Sequence, residues 1–525
     1  MTAADLAVVG VYFALTLGVG LAAARRAARS DDDYFLGARD LPAWAVMLSI
    51  VATETSALTV ISVPGLAARG DLTFLQLAFG YLVGRIAVAW WLLPGYFEGR
   101  QQTAYQRLEA RFGAGTRRLL SATFLLTRLL ADGVRIFAGA IPLALLAGWD
   151  VPTAIVVMGA VTLLYTFAGG LKAVVWADAV QLVVYVAGGA AVLAVAAGLA
   201  AQAHGSLADA WAAAAAAGKL RVLDGEPSFT RPYVLLGGLL GGALMSAASH
   251  GTDHIIVQRL LATRSLRDAQ VALVGSGVLV IAQFALFLLV GTALWAAGHA
   301  PAGLAGDALF PRFVIDELPR HLPALAGLVV AAILAAAMST ISSSISALAS
   351  SLTHDLYAPL AAPARRADPA HLLRVGRAVS LAWGVALVGV ALGFHALAGG
   401  RDTPAVVLAL SIASVTYGAL LAAYVLAAPR WRTGRLAVRG RDVIAGAVFA
   451  MTAMLLVVFA SRLAALPGLA ALAPLGRLAF PWYVPLGCVM ALAGALVSAG
   501  VSAGVSARGS ARRGAPFDGP RNPPA

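Results

Sequence analysis

Three stretches of this sequence place oxygen-bearing side chains inside otherwise apolar runs. The first carries Ser49, Thr53, Glu54, Thr55, Ser56 and Thr59, then Ser62, Pro64 and Gly65. An acid flanked by hydroxyls and followed by Pro-Gly is poor material for a continuous lipid-facing helix. Irregular backbone at membrane depth is tolerated where it lines a cavity, and carbonyls freed there can bind a cation. A kinked helix whose Ser and Thr bond back to their own backbone would read the same way. The second stretch holds Ser339, Thr340, Ser342, Ser343, Ser344 and Ser346. On a helix, Ser339, Ser342, Ser343 and Ser346 share one face. Neutral hydroxyl oxygens suit Na⁺ better than Ca²⁺, although a seam of small packing residues has the same signature. The third stretch is glycine-rich, Gly237-Gly238-Leu239-Leu240-Gly241-Gly242, and leads to Ser246, Ser249, His250 and Asp253. Helical Gly costs roughly 1 kcal/mol relative to Ala, so a second helix break fits this stretch, although glycine is also ordinary helix-packing material in membranes. Asp178 and Gln181 open another apolar run, where an acid could simply reach water. His250, Asp253 and His254 have metal and acid–base chemistry, yet no further ligand stands at a recognised spacing. Asp253, with Gln258 and Arg259, is expected to organise the end of a helix. Without a nucleophile, a metal set or a phosphate loop, the chain is not expected to be an enzyme.

The elements that hold these residues follow from composition. Of 525 residues, 60% are hydrophobic and 12% charged, which excludes a soluble globular domain. A single cysteine, Cys488, excludes a disulfide scaffold. Apolar stretches of spanning length fall at about 5–24, 42–68, 74–98, 118–148, 152–170, 174–200, 233–260, 270–297, 322–352, 373–398, 403–428, 440–462 and 480–503. The expectation is an all-α polytopic membrane protein with about 13 transmembrane helices, the first being a span rather than a cleaved signal. Of the 38 Lys and Arg, 26 fall in one alternating set of connections, nine in the other, and Arg85, Arg128 and Arg135 within spans. Basic residues are retained on the cytoplasmic side, which places the N-terminus outside and the C-terminus in the cytoplasm. Most of the net +13 is therefore topology, and no nucleic-acid partner is expected. The longer external connections are 201–232 and 298–321, and 507–525 is expected to be a disordered tail.

In several segments the chain resembles the sodium:solute symporter family. Asp33-Tyr34-Phe35-Leu36-Gly37-Ala38-Arg39-Asp40-Leu41-Pro42 is similar to that family's sequence before its first core helix, and Tyr105-Gln106-Arg107-Leu108-Glu109-Ala110-Arg111-Phe112-Gly113 to a later loop. Gly169-Gly170-Leu171-Lys172-Ala173-Val174, Asp253-His254-Ile255-Ile256-Val257-Gln258-Arg259 (with His where Gln is usual), Ala336-Ala337-Met338-Ser339-Thr340 and Asp355-Leu356-Tyr357 match further motifs. The resemblance implies a five-plus-five inverted repeat with two discontinuous helices. Residues 1–41 would be an extra helix and loop, 42–200 and 233–428 the repeats, and 429–506 two terminal helices.

By position, it implies a first sodium site from the carbonyls of Ala52, Thr55 and Ala336 and the hydroxyls of Ser339 and Thr340. Asp178, Ser342 and Ser343 would form a second. Thr59, Glu54, Arg135, Ser249 and His250 fall at substrate positions. The sugar carriers' lysine has no counterpart in 270–297, and Ser249 and His250 replace their aromatic gate. Arg135 could pair a substrate carboxylate, or instead pair Asp132 or Glu54. The implied function is Na⁺-coupled import of a small solute, favouring a carboxylate, with Na⁺ as coupling ion, no cofactor, and no obligate protein partner. The implied location is the inner (plasma) membrane. The alternative is a sensor of the same fold with a separate signalling partner.

Overall fold

The computed structural model describes residues 2–24, 30–99, 101–301, 303–321, 324–398, 405–431 and 437–513. Arg25, Arg26, Arg29, Arg100, Arg401, Arg432 and Arg435 of the topology argument lie outside the described residues, as does 514–525 of the expected tail. The major helices are α1 (Ala3–Ala24), α2 (Ala43–Glu54), α3 (Ala57–Arg69), α4 (Leu75–Ala87), α5 (Ala114–Ala147), α6 (Val151–His204), α7 (Gly242–Gly251) and α8 (His254–Leu261). They continue with α9 (Leu266–Ala296), α10 (Gly306–Asp316), α11 (Leu325–Ser351), α12 (Pro369–Ala398), α13 (Ala405–Leu426), α14 (Gly440–Val458) and α15 (Tyr483–Arg513). Helix dominates because a chain in hydrocarbon must satisfy its backbone within each segment. α15 carries helix through Arg513, into the stretch expected to be disordered.

Among the described residues, eight helices are long and apolar enough to cross a membrane, or nine if α2 and the segment Thr59–Arg69, bent by 65°, form one span. The count falls below thirteen partly because α5 carries Arg128, Asp132 and Arg135 mid-helix, and partly because α7 and α8 are short. The stretches 152–170 and 174–200 are also covered by α6 alone. A straight helix of its 54 residues would run about 80 Å, against a hydrocarbon core of about 30 Å. Gly170 interrupts it with φ 56° and ψ −149°. Left-handed backbone suits Gly, and a Cβ there would lie 2.3 Å from the Tyr34 carbonyl oxygen.

Both expected breaks are present, each displaced from its most obvious sequence cue. The first falls at Thr55 and Ser56, both extended (ψ 118° and 165°), while Pro64 is absorbed within α3. The second falls at Thr252 and Asp253, with Asp253 Oδ1 capping α8 through Ile255 N–H at 2.9 Å. The glycine run is not the break. Gly237–Gly241 forms a π-helical turn leading into α7, and its glycines let α4 approach closely. A Cβ on Gly80 would sit 2.1 Å from the Gly238 carbonyl oxygen. Overpacking costs about 1–3 kcal/mol, so Gly80→Ala is expected to lower the thermal unfolding midpoint by several degrees. Gly115→Ala, whose new Cβ meets nothing nearer than 3.8 Å, is expected to leave it unchanged. α11 is the central helix, buried along almost its whole length and packed against α6, α5 and α1.

Candidate ion and solute site

A cavity of about 470 Å³ is lined by residues of α2, α3, α4, α5, α7, α8, α9, α11, α13 and α15. Phe74, Tyr233, Phe480 and Tyr483 give it an aromatic lining, the Phe74 and Tyr233 rings 5.3 Å apart, and Thr53, Ser56, Thr340 and Ser343 give it hydroxyls. Thr53 and Ser56 stand at the break between α2 and α3. A helix leaves its last four carbonyls without amides from a following turn. Val51 O recovers the Thr55 N–H (3.1 Å) and Oγ1 (2.9 Å), which leaves the carbonyls of Ala52, Thr53 and Glu54 to find partners outside the helix. The Thr55 hydroxyl is held by the Gln283 amide (2.7 Å) and the Tyr185 hydroxyl (3.1 Å). These contacts pin the non-helical residue in place.

α11 brings its hydroxyl face to this break. Thr53 Oγ1 and Ser343 Oγ are 3.0 Å apart. Thr340 Oγ1 lines the cavity and donates back to Ala336 O at 3.2 Å. Ser339 Oγ donates to Asp178 Oδ1 at 2.7 Å, Ser342 Oγ to Ser339 O at 3.1 Å, and Ser346 Oγ to Gln258 Oε1 at 3.4 Å. Asp178 is completely buried. Its Oδ2 accepts from Ser49 Oγ at 2.6 Å and from Arg259 Nη2 at 3.1 Å.

Charged groups form the walls, each within a pair or triad. Glu54, on the cavity surface, pairs with the fully buried Arg85, which also donates to Ser276 Oγ at 2.7 Å. Arg128 pairs with Asp253, its Nε donating at 2.8 Å, and with the Tyr417 hydroxyl at 2.7 Å. Asp132 accepts from Ser344 Oγ at 2.6 Å and from Arg135 Nη1 at 3.0 Å. Arg135 is the most exposed of these arginines, its side chain 20% accessible. Two polar atoms on the cavity wall, Ser62 Oγ and His250 Nε2, are buried without a hydrogen-bond partner. The His250 nitrogen lies 3.6 Å from Glu54, beyond hydrogen-bonding range.

The sequence profile of the Sodium:solute symporter family matches residues 34–428, most of the chain. The chain belongs to this family. It is 31% identical over 291 residues to the human sodium/iodide cotransporter, covering 55% of this chain and 44% of that protein. It is 28% identical over 337 residues to the sodium/sialic acid symporter SiaT of Proteus mirabilis, covering 62% of this chain and 66% of that one. The chain thus spans under half to about two thirds of these relatives' length. A solved structure of a Na⁺-coupled sialic acid symporter in a substrate-bound outward-open state superposes with a TM-score of 0.80 at 23% identity, covering 95% of this chain and 98% of the other. That likeness establishes a shared transporter fold.

In this member of the symporter family, Glu54, Thr59, Arg135, Ser249 and His250 all line the same cavity. Thr340 and Ser343 also line it, while Ala52, Thr55, Ala336, Ser339, Asp178 and Ser342 are buried and are not among its lining residues. Arg135 pairs Asp132 rather than Glu54. Arg259 requires a correction. Residue order puts it among the basic residues of a connection, organising a helix end, yet it is fully buried and ion-paired with Asp178. Sequence reasoning also misses the partners of Glu54 and Asp253, namely Arg85 and Arg128. The available signal is their presence in apolar stretches, since an intramembrane charge must find a partner. Which partner it finds is not written in spacing.

Proposed function

We propose that this protein is a sodium-coupled secondary active symporter, importing a small carboxylate-bearing organic solute by alternating access. The observation that carries this reading is the helix break at Thr55–Ser56, set against the hydroxyl face of α11 in the lining of the cavity. Sodium held by the carbonyls of Ala52, Thr55 and Ala336 and the hydroxyls of Ser339 and Thr340 would bridge the broken helix to α11. It would thereby favour the conformation that binds solute. The two repeats, 42–200 and 233–428, would move about this site. The N-terminus would lie outside and the C-terminus in the cytoplasm, as the basic connections require. Each charge moved inward gains about 2.3 kcal/mol per 100 mV of membrane potential, in addition to the sodium gradient.

Arg135 supports an anionic solute. One of its amino groups serves Asp132, while its side chain remains 20% accessible on the wall of the cavity. The two relatives named above are described as carriers of iodide and of sialic acid, both anions at neutral pH.

The test is uptake into proteoliposomes carrying the full chain, with amino acids, monocarboxylates and sialic acids offered in turn. Accumulation of one of them against its gradient is expected with external Na⁺ and not when K⁺ replaces it. Arg135→Gln is expected to raise its KM at least about tenfold, the scale of a lost charge-assisted hydrogen bond. Uptake indifferent to the cation would refute the coupling. An unaltered KM would refute the role of Arg135.

A further inference from the structure

We propose that Phe480 and Tyr483 are solute-recognition residues, and that the solute they receive is a ring-bearing carboxylate, its charge at Arg135 and its apolar body against an aromatic wall. This rests on the symport reading above and narrows its solute class.

The segment Leu478-Ala479-Phe480-Pro481-Trp482-Tyr483 lies beyond residues 34–428, which the family's profile matches. Aromatic residues at the start of a spanning helix ordinarily sit at the membrane–water interface. Here two of the three meet the cavity instead. Phe480–Trp482 forms a single 3₁₀ turn ahead of α15, and both Phe480 and Tyr483 line the cavity. Ala479 N–H donates to Phe229 O at 2.8 Å. The Trp482 indole donates to Ser228 O at 3.2 Å, its ring 4.8 Å from Phe229. A Cβ on Gly241 would lie 2.5 Å from Pro481 O, so the turn also packs directly on the glycine run that leads into α7. These contacts give the two cavity-lining rings a fixed base.

From Phe480 the aromatic wall continues through three more elements. Its ring lies 6.2 Å from Tyr233, Tyr233 lies 5.3 Å from Phe74, and Phe74 lies 4.9 Å from Phe284, at interplanar angles of 72°, 61° and 67°. This edge-to-face arrangement is the one aromatic pairs prefer. All four rings line the cavity, and Phe74, Tyr233, Phe480 and Tyr483 are only partly buried. They keep surface that a solute can cover, and apolar surface removed from water favours association. Rings offer a carboxylate no counter-charge. That leaves Arg135, the most accessible of the three arginines paired at the walls. A solute coated with hydroxyls would bury them against carbon without partners, each at a cost. The cavity of about 470 Å³ falls among sites that enclose drug-sized ligands, so a two- or three-carbon acid would leave most of it to water.

The test is uptake into proteoliposomes carrying the full chain, with phenylacetate, lactate and N-acetylneuraminate as probes. Phenylacetate is expected to enter with a kcat/KM at least about tenfold above either of the others. Phe480→Ala and Tyr483→Leu are each expected to raise its KM about three- to tenfold, the scale of one lost aromatic contact. The ratio of kcat/KM for phenylacetate over lactate is expected to fall by as much, and Phe480→Tyr, which keeps the ring, to restore it. A merely structural role would depress both acids alike, so an unmoved ratio overturns the assignment of these residues. Tyr483→Leu decides this even where Phe480→Ala fails to fold. Wild type that takes no phenylacetate, or takes lactate or N-acetylneuraminate equally well, overturns the solute class; sodium-driven uptake of either of those two would leave symport standing. Selective phenylacetate uptake that is indifferent to Na⁺ would overturn the coupling and not this recognition.

Discussion

Replacing Ser339 and Thr340 together by Ala is expected to abolish sodium-dependent uptake. Both hydroxyls sit on α11, Thr340 on the cavity lining with Thr53 and Ser56 of the break, and Ser339 donating to Asp178. They contribute two of the five oxygens proposed for the first sodium site. A hydrogen bond to a charged group is worth about 1.5–3 kcal/mol, and an ion–hydroxyl contact in a site shielded from water is on that scale. Each loss should weaken sodium binding by about ten- to a hundredfold, and the two together by about 10²–10⁴. Thr340→Ser keeps the oxygen and is expected to retain most of the activity. The measurement is the sodium concentration giving half-maximal uptake, alongside the thermal unfolding midpoint in sodium-free buffer. A double variant with an unchanged sodium requirement would place the ion elsewhere. One that loses stability without sodium would show that these hydroxyls act structurally, through Ser339 and Asp178.

The second large effect concerns stability. Glu54→Gln is expected to destabilise the protein by about 3–5 kcal/mol, because removing one partner of a buried pair strands the other. The stranded group is Arg85, which is fully buried with Ser276 as its other hydrogen-bond partner. Arg85→Met should cost less, since Glu54 lies on the cavity surface and is 18% accessible. The double variant should recover most of what Glu54→Gln loses. Thermal unfolding of the four proteins in one detergent closes this cycle. A Glu54→Gln midpoint equal to wild type would mean that the pair contributes nothing to stability. Recovery in the double variant without uptake would assign Glu54 to solute recognition as well.

Much of this site could be read from residue order, and the part that could not has a common cause. Apolar stretches, the hydroxyl face of α11 and an irregular backbone somewhere between Ser49 and Gly65 are local properties, set by hydropathy, by the 3.6-residue period and by the cost of irregular backbone in lipid. Pro64 and the glycine run mislead for an instructive reason. Proline can either end a helix or be absorbed within one, and glycine can either break a helix or allow a close approach; the neighbours decide which. Gly80 and Gly238 are small because two backbones touch there, and that contact is invisible along the chain.

The sequence by itself determined that the protein lies in a membrane, which family it belongs to, and which few polar residues stand at membrane depth. Its charges were countable, but apart from Arg135 and Asp132, three residues apart, they were not pairable. Tertiary structure decided that Arg85 answers Glu54, that Arg128 answers Asp253, and that Arg259 answers Asp178 across 81 positions of sequence. The reason is energetic. A charge in hydrocarbon must be neutralised by whichever opposite charge packing brings within a few ångströms, and that depends on how helices cross rather than on how far apart residues lie in the chain.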